Sequence, residues 1–170
     1  MIKKIIINAI LLVIITVLIY SKYINIIAIK GVTPDIFFLL IFFNGIFINP
    51  TFGMIFGFFS GLAKDIFTFG IIGFNSMIYL IIGYLTLLPK KIIEIDNTIT
   101  SSIVVTIFFI IKILLYLIIG AIFIDFKQIS VYFKNVFFIE LIYTLGLSIP
   151  IFLIYRKIFK SRKKDYSQYE

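Results

Sequence analysis

The sequence has no cysteine and no histidine. Without cysteine there are no disulfides, no thiolate metal sites and no thiol nucleophile. Without histidine the usual general base and the commonest metal ligand are gone as well. Tryptophan is also absent, only 4 residues are proline, and charged side chains make up 14% of the 170 residues. Soluble domains carry about a quarter charged residues, so a soluble fold is excluded. No nucleophile, metal-ligand set or phosphate cradle is left to support an enzyme, a metal centre or a bound cofactor.

What is abundant is apolar surface: 62% of residues are hydrophobic, 18% are aromatic, and the mean hydropathy is +1.17. Uninterrupted apolar runs of about 18 or more residues read as transmembrane helices, and the chain consists mostly of such runs. The expected fold is therefore all-α. A single membrane domain with six transmembrane helices covers residues 1–156, and a basic tail follows at 157–170. The expected spans lie at about Ile5–Tyr20, Pro34–Ile48, Thr51–Asp65, Ile71–Leu88, Ile99–Ile124 and Val136–Tyr155. The first begins like a signal peptide, but "SKYINI" offers no small-residue cleavage site, so it reads as a retained helix.

The second and third spans are short, about 15 residues each or roughly 22 Å, against a hydrocarbon core of about 30 Å. Only Asn49 and Pro50 separate them. They are read as two crossings whose turn is shielded by protein, with a re-entrant hairpin as the alternative. The second span opens well: Thr33 can cap it, Pro34 suits the first helical position, and Asp35 meets the positive end of the helix dipole.

Orientation follows from the basic residues. Six crossings put both termini on one side with Lys3, Lys4, Lys90, Lys91, Arg156, Lys157, Lys160, Arg162, Lys163 and Lys164. The other side carries Lys22, Lys30, Lys64, Lys127 and Lys134. Ten against five makes both termini cytoplasmic. The net charge of +8 is explained in this way and does not call for a nucleic-acid partner.

Within the third span Gly53, Gly57, Gly61 and Asp65 recur every four residues, "GMIFGFFSGLAKD". On a helix they form one face. Water does not drive helix association in lipid, so close backbone contact does, and a glycine row permits it. The row is expected to be a seam against another helix or a partner. Asp65 either points into the same seam or ends the helix at the interface, with Lys64 free to snorkel or to offset its charge. Gly73 flanks the following turn, and Asn75 either caps the fourth span or bonds the loop carrying Asp65.

Taken together, "TPDIFFLLIFF", "GFFSGLAKDIF", "GIIGFNSMIYLIIGYL" and "KNVFFIELIYTLGLSIPIFLIYRKIF" resemble the MreD family of rod-shape-determining membrane proteins. The matching positions are Pro34, Asp35, Gly57, Gly61, Asp65, Gly73 and Asn75, with Glu140, Tyr143 and Pro150 in the last span. Lys112 and Lys64 depart from the pattern. The resemblance implies a bacterial cytoplasmic-membrane scaffold of the elongation complex that builds lateral peptidoglycan. Its partner would be an MreC-type protein and, through it, a RodA-type polymerase, its transpeptidase and the MreB filament. The resemblance also implies a fold similar to the substrate-binding subunits of energy-coupling-factor transporters. That keeps a vitamin-type transporter subunit open as the alternative function; a generic channel ranks below both.

Lys112 falls mid-span, where insertion costs about 2.5–3.5 kcal/mol. Glu140 matches it by sign but lies roughly 10 Å away in expected depth. The choice is between a Lys112–Glu140 pair and a lysine satisfied by carbonyls or cavity water. Asp35, Asp65, Asp125 and Glu140 all map to the outer half, as a rim that orders loops and receives a partner segment. The tail residues Arg156, Lys157, Lys160, Arg162, Lys163 and Lys164 are assigned to topology and to anionic lipid, at roughly 1 kcal/mol each, with a cytoskeletal contact as the alternative.

Overall fold

The computed structural model describes residues 28–68, 71–92, 97–123, 131–132 and 134–166, together with Ile14. Apart from Ile14, the first expected span lies outside the described residues, as do Asp125 and Lys127. Among the described residues the named elements are all helices. They are α1 (Ile36–Phe47), α2 (Pro50–Phe67), α3 (Phe74–Leu85), α4 (Leu87–Ile92), α5 (Thr98–Phe123) and α6 (Phe137–Tyr166).

Helix starts follow local chemistry. Asp35 itself caps α1, its side chain accepting from the Phe38 amide at 3.1 Å. The helix thus begins later than the Thr33–Pro34 reading placed it. Asn49 caps α2 by accepting from the Phe52 amide at 2.6 Å, with Pro50 in the first turn, where its missing N–H is harmless. The 29–32 hairpin before α1 turns through Lys30 (φ 52°) and Gly31 (φ 78°), pairing Ile29 with Val32.

Helix α1 is the centre of the molecule. Every residue from Phe37 to Gly45 is buried, as expected of a helix apolar on all sides. Phe38 meets Phe109 edge-on at 5.7 Å, Phe42 meets Phe108 at 5.0 Å, and Phe43 lies 6.2 Å from Phe152. At 12 residues, α1 is only about 18 Å long. Sheathed by α2, α3, α5 and α6, it has little need to match a bilayer. By length and composition two described helices suffice to cross a membrane, over Thr98–Ile122 and Phe137–Ile158, with mean hydropathies of 2.8 and 2.1. In α2 the glycines and the Lys64–Asp65 pair lower the hydropathy.

The last helix differs from expectation. It passes through Pro150 and continues beyond Tyr155 to Tyr166, so the helix runs on into the basic stretch. Cations near a helix C-terminus are favoured by its dipole.

Candidate functional site

Two buried polar clusters occupy the end of the bundle where α1, α3 and α6 begin and α2 ends. In the first, Asp65 lies on the last turn of α2 with no solvent exposure. Its carboxylate accepts from the backbone amides of Gly73 (2.9 Å), Asn75 (3.0 Å) and Ser76 (3.3 Å). It also accepts from Asn75 Nδ2 at 2.7 Å and Ser76 Oγ at 3.3 Å. Gly73, at φ 97°, gives α3 no side-chain cap of its own, so α2 supplies the cap across the turn. A carboxylate on the amides of a helix start is favoured by hydrogen bonding and by the dipole alike. Of the sequence alternatives for Asp65, the geometry is that of an acid turned into protein. Asp65→Ala is expected to cost about 1–3 kcal/mol, because it strands these buried donors. Asp65→Asn should cost less. An unaltered melting midpoint for the alanine variant would refute the capping role.

The glycine row leads into this cap. A side chain added at Gly57 would overlap the Tyr79 carbonyl, and one at Gly61 would overlap the Ser76 backbone. Gly53 faces Gly45 Cα, which a Cβ would approach to 2.9 Å, and Gly83 of α3 faces the Gly53 backbone. The helix lying in the seam is the chain's own α3, with α1 at the far end.

The second cluster joins five helices. Lys112 Nζ donates to Asp35 Oδ2 at 2.9 Å and to Glu140 Oε1 at 2.8 Å. Tyr79 Oη donates to the Asp35 carboxylate, 2.7 and 2.8 Å from its two oxygens, and accepts from Lys64 Nζ at 3.0 Å. Tyr132 Oη donates to Glu140 Oε2 at 2.5 Å. The Asp35 amide donates to Thr144 Oγ1 at 3.0 Å. Lys112 also stands over the Phe109 ring at 4.1 Å, where the aromatic face attracts a cation. Two ammoniums and two carboxylates leave the cluster formally neutral. That neutrality, with hydrogen bonds on every member, makes ions tolerable in an apolar interior.

The roughly 10 Å offset expected between Lys112 and Glu140 does not exist. It assumed that α5 and α6 meet at a common level. Phe137, at the start of α6, instead packs 6.3 Å from Phe109, and Tyr132 stacks on Tyr116 at 5.4 Å. The start of α6 therefore lies level with the middle of α5, about 14 residues or 21 Å short of its end. Sequence reasoning missed Asp35 as the second partner of Lys112, and missed Tyr79, Tyr132, Thr144 and Lys64 as members. For Asp35 a signal existed: a buried cation needs acids from any span, not the nearest one in sequence. The tyrosines carry no such mark in the sequence.

The other singled-out positions lie along α6. Tyr143 is half-buried on α6 and Pro150 is exposed. Arg156 is half-buried and Lys157 exposed. Lys160, Arg162, Lys163 and Lys164 lie on the last turns of α6, with their side chains outside the described set. Among the described residues no group of acids is placed to hold a metal ion.

An all-helical membrane bundle, drawn tight by glycines and pinned by buried ion pairs, is a structural membrane protein in its architecture. The chain belongs to the MreD family: the family model described as rod shape-determining protein MreD matches residues 2–158. It is thus a shape-determining inner-membrane protein of the rod complex. No curated protein and no solved structure matches the chain.

Proposed function

We propose that this chain is a non-enzymatic scaffold of the cell-elongation complex, binding an MreC-type protein in the membrane and so helping to regulate lateral peptidoglycan synthesis. The family match carries the reading. The interior supports it, because Asp35, Lys112, Glu140 and Asp65 are each engaged by other protein groups, as a rigid platform requires. Nothing in the comparisons favours the vitamin-transporter alternative.

With the glycine face of α2 occupied by α3, a partner helix has other faces to use. Ile55, Phe58 and Phe59 on α2 and Ile103, Ile107, Ile110 and Leu114 on α5 are exposed. The wider set of partners, a RodA-type polymerase, its transpeptidase and the MreB filament, would be reached through the MreC-type protein.

Tagged chain extracted from membranes in mild detergent is expected to co-purify with the MreC-type protein. Introducing tryptophan at Phe59 or Ile107 should locate the docking face by weakening capture several-fold on one helix only. Full capture by both variants would exclude those faces, and absence of the MreC-type protein from the wild-type preparation would overturn the proposal. The six-span topology with both termini cytoplasmic is tested separately. Because the chain lacks cysteine, single introduced cysteines report sidedness without background, and termini labelled from outside would refute it.

A further inference from the structure

The ion cluster is not sealed at the Asp35 end. A crevice of about 320 Å³ opens over it, lined by Thr33, Asp35, Ile36, Lys64, Thr68 and Glu140 among others. Lys64 is the most accessible charge there, its side chain 30% exposed against 7% for Lys112 and 3% for Asp35. Its ammonium donates to Tyr79 at 3.0 Å and stands 3.9 Å from Asp35, beyond hydrogen-bond reach. An ammonium has three donors, so two N–H groups of Lys64 have no protein acceptor among the described residues. The carboxylates on the floor are already shared by Lys112, Tyr79 and Tyr132. Lys64 balances the charge left by Asp35, Glu140 and Lys112, so the crevice as a whole is formally neutral and an incoming anion meets the remaining donors of Lys64.

The surroundings are apolar. Val32, Pro34, Ile36, Phe37 and Val136 make up much of the lining, and next to it Ile29, paired with Val32 in the hairpin, and Phe67, beside Thr68, are half-exposed. A water-soluble acidic peptide favours a polar rim, whereas an amphiphile with an anionic head favours this one. We propose that the crevice holds the phosphate of a membrane phospholipid, with its oxygens on Lys64 and Thr33 and its acyl chains along Ile29 and Phe67.

The test is native mass spectrometry of the full purified chain, titrated with phosphatidylglycerol, diacylglycerol of the same chains, or inorganic phosphate. One phosphatidylglycerol should be retained, while diacylglycerol and inorganic phosphate bind far more weakly. Lys64→Gln is expected to weaken retention about five- to tenfold, the effect of roughly 1 kcal/mol for one basic contact, and Lys64→Arg to preserve it. Thr33→Val leaves the ion cluster intact and should weaken binding about two- to threefold, the effect of one neutral hydrogen bond at the low end, so it decides the matter if the glutamine variant misfolds. Equal retention of diacylglycerol overturns the proposal, as does unchanged binding by Thr33→Val and Lys64→Gln. Equally strong binding of inorganic phosphate would show an anion site that is not a lipid site. A protein-derived acidic peptide in the preparation that excludes the lipid would also overturn it.

Discussion

Replacing Lys112 with methionine is expected to destabilise the protein by about 3–5 kcal/mol, the usual result of removing one partner from a buried ionic group. Methionine matches the volume and apolar stem of lysine, so packing against Phe109 is largely kept. What is lost is the charge that holds Asp35 and Glu140, both nearly inaccessible to solvent. Lys64, 3.9 Å from Asp35, cannot neutralise two acids. The measurement is the thermal midpoint of a fluorescent fusion, followed by size exclusion after heating. A shift of roughly 6–20 °C corresponds to this loss in a chain of this size. The triple variant Lys112→Met, Asp35→Asn, Glu140→Gln removes all three charges and should recover most of the midpoint, because the stranded carboxylates are gone. The asparagine of the Asp35→Asn change still offers a side-chain oxygen to cap α1. A wild-type midpoint for Lys112→Met would mean that the cluster does not hold the helices together. Failure of the triple variant to recover would mean that stranded carboxylates are not what Lys112→Met costs.

The sequence made much of this architecture legible through period and composition. Helical character, the breaks at Asn49–Pro50 and around Gly73, and the shared face of Gly53, Gly57, Gly61 and Asp65 follow from spacing alone. Even the need for a partner at Lys112 could be read, since a mid-span cation is costly wherever it occurs. Levels were not legible. Where α6 starts relative to α5 is set by Phe137 on Phe109 and Tyr132 on Tyr116, contacts across a connection whose path has no periodicity. Assuming flush helix ends therefore separated two side chains that touch. The occupant of the glycine face was also hidden. A row of small residues says that a backbone comes close, but its identity as α3, brought round by the turn at Gly73, is a tertiary fact. Tyr79 shows the same limit: its register on α3 brings it to Asp35 only once Gly57 has let the two helices close together.

Gly61 is where substitution is expected to do the most damage. A Cβ there would overlap the N and Cα of Ser76 and the carbonyl carbon of Asn75, all backbone atoms of the α3 first turn. No rotamer change can make room, so α3 must move away from α2. That movement pulls the Ser76, Asn75 and Gly73 donors off Asp65 and draws Tyr79 away from Asp35. Gly61→Leu should therefore yield no monodisperse protein from membranes. Gly61→Ala should cost at least the roughly 1–3 kcal/mol typical of overpacking, with the loss of the cap added. Two comparisons separate this from a general effect of changing helical glycines. Gly146 on α6 has nothing within 4 Å of an added Cβ, so Gly146→Ala should raise stability by about 0.5–1 kcal/mol through helix propensity. Gly45→Ala would strike the side chain of Thr86, not backbone, so Thr86→Gly should relieve much of its cost, whereas shortening Ser76 should do nothing for Gly61→Ala. If Gly61→Ala melts like the wild type, α2 and α3 are not in backbone contact, and the close approach that brings Tyr79 to Asp35 does not exist.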